Sequence, residues 1–92
     1  MKLIVWEAEH CAEDCYSVRA RTKKECIALV AEYGVKDYVE EWGDNAGKVE
    51  ILRLEYEFDN LFHCYDSLSR EGGAWAKAKR VYALPISRFT GE

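Results

Sequence analysis

A change of hydrophobic period at one fixed point constrains this chain more than any other feature. Tyr16-Ser17-Val18-Arg19-Ala20-Arg21 alternates apolar with polar, whereas Cys26-Ile27-Ala28-Leu29-Val30-Ala31 carries apolar residues at helical spacing. Thr22-Lys23-Lys24-Glu25 stands between them. The Thr22 hydroxyl can accept from the Glu25 amide while the Glu25 carboxylate reaches back to the Thr22 amide, a capping box that turns strand into helix at a defined place. Any fold of this chain has a strand ending near Arg21 and a helix beginning near Lys23.

Around that point the rest of the chain reads as one α+β domain over residues 1–92. A chain of this length buries roughly 60 to 65% of the surface exposed on unfolding, enough for a single core. Lys2 to Ala8 is β-prone and apolar on both faces, which suits a central strand, and it forms a hairpin with the alternating strand that follows. In that second strand Tyr16, Val18 and Ala20 face inward, and Ser17, Arg19 and Arg21 outward. The first helix is expected over Lys23 to Tyr33, with Cys26, Ile27, Leu29, Val30 and Tyr33 on its buried stripe and Gly34 closing it in the left-handed region.

A third strand over Tyr38 to Trp42, a loop at Gly43-Asp44-Asn45-Ala46-Gly47 and a fourth strand over Lys48 to Phe58 make a second hairpin. Within the fourth strand Val49 and Ile51 share one parity and Leu52, Leu54, Tyr56 and Phe58 the other, so a β-bulge near Ile51-Leu52 is expected. Asp59 is placed to cap a second helix through about Arg70, which Gly72-Gly73 ends. From Ala74 the sequence reads two ways, as an alanine-rich helix or as an edge strand that Pro85 terminates. The strand is favoured because two glycines already stop one helix and Val81-Tyr82 is β-prone. The expected architecture is ββαββα, a mainly antiparallel sheet with helices on one face and a possible fifth, C-terminal strand.

Charge is unevenly distributed. The net charge is −4, yet between residues 36 and 59 eight acids (Asp37, Glu40, Glu41, Asp44, Glu50, Glu55, Glu57, Asp59) face three bases, and from residue 70 onward five bases (Arg70, Lys77, Lys79, Arg80, Arg88) face Glu71 and Glu92. Such an acidic stretch is either a solvated surface or a patch that steers the chain toward a basic partner. If Leu52, Leu54 and Tyr56 face the core, then Tyr38, Glu40 and Trp42 share the other face of the hairpin with Arg53, Glu55 and Glu57, beside Asp44 in the loop. Two large rings among acids are the composition of an interface; the alternative is that a helix or the C-terminal segment covers the rings.

Motifs for catalysis are absent. No phosphate loop or dinucleotide fingerprint occurs, Gly72-Gly73 standing alone, and the strand glutamates lack a partnering His or Asp-x-Asp arrangement. The chain is therefore expected to be non-enzymatic and without a cofactor. Cys11 and Cys15, with His63 and Cys64, are an alternative zinc set, although adjacent helical residues point about 100° apart and ligate one ion poorly. With Leu3-Ile4-Val5-Trp6 stopped by Glu7, no secretory segment is read, and the four cysteines are expected as reduced thiols in a cytoplasmic protein. Trp75, Lys77, Lys79 and Arg80, near Tyr82, are the alternative nucleic-acid site, which the overall acidity disfavours. A further alternative is a pocket of Arg19, Arg21 and aromatics that sequesters a nucleotide signal.

The strand-into-cap run Val18 to Glu25, the acidic strand Ile51 to Phe58 running into a short helix, and the Glu71-Gly72-Gly73 stop resemble small proteins encoded by phages and prophages of Gram-positive bacteria, over about two-thirds of the chain. That class includes inhibitors of host defence such as anti-CRISPR proteins, which act by stoichiometric binding or by mimicking nucleic-acid charge. The resemblance implies a protein partner, a basic host nucleoprotein in the host cytoplasm, and no catalytic residue. No membrane is expected to be involved, and the chain is expected to be a monomer or weak homodimer.

Overall fold

A computed structural model describes residues 2–11, 17–57 and 76–91. The fold is α+β. Four antiparallel strands, β1 (Lys2–Ala8), β2 (Val18–Ala20), β3 (Lys48–Glu57) and β4 (Ala78–Pro85), lie in the order β2-β1-β3-β4. The first hairpin pairs Trp6 with Ala20 and Ala8 with Val18. Helix α1 (Lys23–Tyr33) begins where the capping box places it, with Thr22 extended and its Oγ1 accepting from the Glu25 amide at 3.1 Å. Gly34 ends the helix at φ +115°, ψ +103°, a positive φ outside the left-handed helical well, and its amide donates to the Val30 carbonyl.

The core forms where α1 lies on the sheet. Cys26 and Val30 of the helix pack with Ala8, Val18, Val49, Ile51 and Leu84, and Ile27 and Leu29 sit at the margin. Tyr33 departs from the expected stripe and is 65% exposed. The core place beneath the last turn goes instead to Tyr38, which arrives from a 3₁₀ turn over Val35–Tyr38. A short helix, α2 (Ser87–Thr90), adds Phe89 to the same cluster, so both described helices lie on one face. Nothing in the sequence pattern signalled α2, because four residues are too few to show a helical period.

Two expectations about the second hairpin are corrected. Residues 38 to 42 do not form a third strand; only Val39 bridges, to Val49. Tyr38 is drawn inward as the last residue of the 3₁₀ turn, and burying that ring satisfies the chain better than an extended path. Nor is there a bulge at Ile51-Leu52: the ladder runs unbroken from Lys48↔Pro85 to Glu55↔Ala78 and from Lys2↔Glu57 to Glu7↔Leu52. The parity slip has another cause. Val49 and Ile51 are buried on the helix-bearing face, while Leu52, Leu54 and Tyr56 are buried on the opposite face with Leu3, Val5 and Ala76. The strand changes its buried side midway while keeping its register.

The tail resolves as the edge strand, with Pro85 its last residue. The expected helix after Asp59 and the Gly72-Gly73 stop lie outside the described residues. Among the described residues no helix is long and apolar enough to cross a membrane.

Candidate functional site

β1 leaves the sheet at Ala8 and runs into Glu9-His10-Cys11, which docks on the 3₁₀ turn and on Val39 just after it. The Cys11 amide donates to the Asp37 carbonyl at 2.8 Å, and its thiol to the Val39 carbonyl at 2.8 Å. His10 is wedged in by its neighbours, edge-on to the Tyr38 ring at 5.4 Å and with Nε2 3.8 Å from the Asp37 carboxylate. Beside this runs the loop that joins Val39 to β3. It is pinned at its base, Glu40 N–H donating to the Lys48 carbonyl and Gly47 N–H to the Glu40 carbonyl, both at 2.9 Å. Gly43 and Gly47 take φ of +85° and +83°, a conformation that L side chains rarely adopt.

The loop carries Trp42, 84% exposed, at a cavity of about 240 Å³ lined by Glu9, His10, Cys11, Glu40 and Glu41. Asp44 and Glu50 stand close by in sequence, and the Asn45 amide donates to Glu50 at 3.4 Å. Acidic side chains are concentrated here, and burial and their charge act together on the titrating groups. Burial, then Glu50 and Glu9, push the Glu40 carboxyl above the ordinary carboxylate range. Burial, then Glu40, Glu41, Asp37 and Glu50, push the Cys11 thiol up as well. A nucleophilic cysteine needs the opposite environment, one that favours thiolate. Cys26, fully buried beneath α1, is pushed up to about 11 by burial and by Glu7.

The residues expected to share one hairpin face are separated. Glu40, Trp42 and Asp44 lie at the loop, and Tyr38 is core at 2% exposure. Arg53 and Glu55 stand on the helix-bearing face of β3, and Glu57 is at its far end, ion-paired to Lys77 at 3.0 Å. Glu55 is seven residues from Lys48, the partner of Glu40, or about 23 Å along a strand. Sequence reasoning assumed an extended Tyr38–Trp42 and so overlooked Glu9 and His10, which the docking of Cys11 brings to the loop.

The alternative sites fare differently. Alternation along β4 splits the basic run: Arg80 faces the helix side with Tyr82, whereas Lys79 pairs with Leu54 and faces the other side. Trp75 lies outside the described residues, as do Cys15, His63 and Cys64 of the zinc set; Cys11 and Cys26 are free thiols. Among the described residues no three His, Cys, Asp or Glu side chains converge on a metal-sized site. Arg19 and Arg21 do meet an aromatic, lining a cavity of about 280 Å³ with Leu3, Val5 and Tyr56, but Arg19 is held by Glu7 at 3.0 Å. The largest of these hollows, about 460 Å³, lies between Leu29 and Tyr33 of α1 and the His10-Asp37 pair. Comparison with protein-family models, with curated proteins and with solved structures returns no match.

Proposed function

We propose that this domain acts by binding, as a non-enzymatic interaction module whose acidic, Trp42-bearing end docks on a basic surface of a protein partner. The observation that carries the reading is the exposure of Trp42, 84%, on a loop whose base is fixed by reciprocal backbone hydrogen bonds to Lys48 and Gly47. Exposing an indole to water forgoes burial worth roughly 2 to 3 kcal/mol, and holding it on a pinned loop lowers the ordering cost of binding. Glu9, Glu40 and Glu41 line the cavity at Trp42, with Asp44 two residues further along the loop, and this negative charge supplies steering toward a basic partner. The upward-shifted Cys11 thiol also argues for binding over covalent chemistry at this end. The resemblance to phage-encoded inhibitors makes the partner a host nucleoprotein of the defence machinery, and the domain its stoichiometric blocker.

Paired pull-downs from a Gram-positive host lysate test this, with the wild-type chain and Trp42→Ala as baits at matched stability. A basic protein retained by the first and lost by the second is expected. Identical recovery by both baits would remove Trp42 and this end of the molecule from the function.

A further inference from the structure

A second surface, independent of the acidic end, lies where α1 stops covering the sheet. Ala20, Trp6, Arg53 and Arg80 form one row across all four strands on the helix-bearing face. Arg53 and Arg80 are directly opposed, and like charges at directly opposed positions destabilise a sheet. Among the described residues neither guanidinium has a carboxylate partner. The acids nearest in register are taken: Glu55 by Lys2, and Glu57 by Lys77 at 3.0 Å. Two unneutralised arginines side by side are a cost that folding does not explain.

The same place holds an aromatic pair. Trp6 on β1 and Tyr82 on β4 reach toward each other across β3, their centroids 5.7 Å apart and their planes at 39°. Lys23, the first residue of α1, sets its ammonium 4.4 Å from the Tyr82 centroid, and an Arg80 guanidinium nitrogen lies 3.4 Å from the Tyr82 hydroxyl. Below this row Ala78 is exposed and Ile4 only half-buried, in contrast to the fully buried Ala8, Val49 and Ile51 beneath α1. Three cations around two rings on an antiparallel sheet supply the two things a single strand of nucleic acid requires, backbone neutralisation and flat apolar surface for bases.

We propose that Arg53, Arg80 and Lys23, with Trp6 and Tyr82, form a binding face for single-stranded nucleic acid on the half of the sheet that α1 leaves open. The arginines take phosphate oxygens, and a base lies against the exposed part of the ring pair. Lys77 and Lys79, adjacent in sequence to Arg80, take no part, because β4 alternation separates Lys79 from this face and Glu57 holds Lys77.

The test is anisotropy of a labelled oligo-dT of about a dozen nucleotides, a length within the site size of small single-strand binders, titrated with the full chain at several salt concentrations. Binding at low salt is expected. The Arg53→Gln/Arg80→Gln double variant should weaken it at least tenfold and flatten the log–log salt slope by about 1.4, two phosphate contacts at about 0.7 each. Its melting temperature should hold or rise, since the opposed charges are gone. Tyr82→Leu, which keeps apolar bulk, should weaken binding at least about fivefold. Lys79→Gln should leave it unchanged. Absence of binding at low salt, an equal loss with Lys79→Gln, or a double variant that binds as the wild type does would overturn the proposal. Displacement of the oligonucleotide by polyglutamate of equal charge as efficiently as by unlabelled oligo-dT would also overturn it, and would make the face a site for an acidic protein segment.

Discussion

Cys11 and Cys26 differ in what burial and charge do to a thiol, and the difference is measurable. Cys26 is fully buried with its pKa pushed up to about 11, so it should react with a thiol reagent only after unfolding. Cys11 is exposed, yet burial of its sulfur, four nearby carboxylates and a hydrogen bond to the Val39 carbonyl all favour the protonated form. Its native-state alkylation should be slow at neutral pH, with a pH profile displaced upward that moves back toward that of a free cysteine in Glu40→Gln/Glu41→Gln. Profiles that coincide would mean the carboxylates do not act on this thiol. Glu40 makes a companion prediction. A carboxyl with a raised folded-state pKa binds its proton more readily in the native state, so its contribution is most favourable below the unfolded value and is lost as pH rises through the folded one. Glu40→Gln should therefore raise stability at neutral pH and lose that advantage toward pH 4, as seen in denaturant titrations at the two pH values. Glu57 has the opposite sign, its carboxyl lowered by the hydrogen bond and charge of Lys77, and Glu57→Gln should bring no gain at neutral pH.

At the scale of elements, helix α1 and strand β3 show what a sequence discloses. The start of α1 was legible because the cap is local: Thr22 and Glu25 meet within one turn, and Thr22→Ala should cost about 1 kcal/mol. The edge strand β4 was legible for the same reason, with Pro85 marking its end. The depth of burial was not. Leu29 reads as core by spacing but sits at the margin of the cluster, whereas Ile51 is fully buried between α1 and the flanking strands. Ile51→Ala should cost about 2 to 5 kcal/mol and Leu29→Ala clearly less, in one chemical-denaturation series. The parity slip in β3 was visible in the sequence, but a bulge and a strand with two buried faces give the same pattern. Only the packing partners, Val49 and Ile51 on one side and Leu52, Leu54 and Tyr56 on the other, separate the two. Tyr38 shows the same limit, because a β-prone ring next to an alternating stretch gives no sign that His10 and the core will draw it inward. The expected hairpin face depended on that residue being extended and came apart with it.

For the molecule as a whole, the consequence is a division of charge between two places. Glu9, Glu40 and Glu41 gather at Trp42, and Arg53 and Arg80 stand side by side on the helix-bearing face near Trp6 and Tyr82. On the two proposals together, a partner made of basic protein and nucleic acid would engage both places at once, which a net charge of −4 alone does not suggest. Kinetics with such a partner separates the contributions. Trp42→Ala removes a ring that is 84% exposed in the free chain, so stability should stay within about 0.5 kcal/mol of wild type. The loss should appear in binding, at about 2 kcal/mol or more and mainly as faster dissociation, since a desolvated anchor acts after encounter. Neutralising Glu41 and Asp44, both exposed, should instead slow association and flatten its dependence on salt, because exposed charges act over the Debye length before contact. Surface-plasmon measurements at two ionic strengths, with melting curves on the same preparations, distinguish these effects. Should Trp42→Ala unfold the domain, or should the acid variants leave the association rate untouched at low salt, the acidic end is a solvated surface and binding must be sought on the sheet.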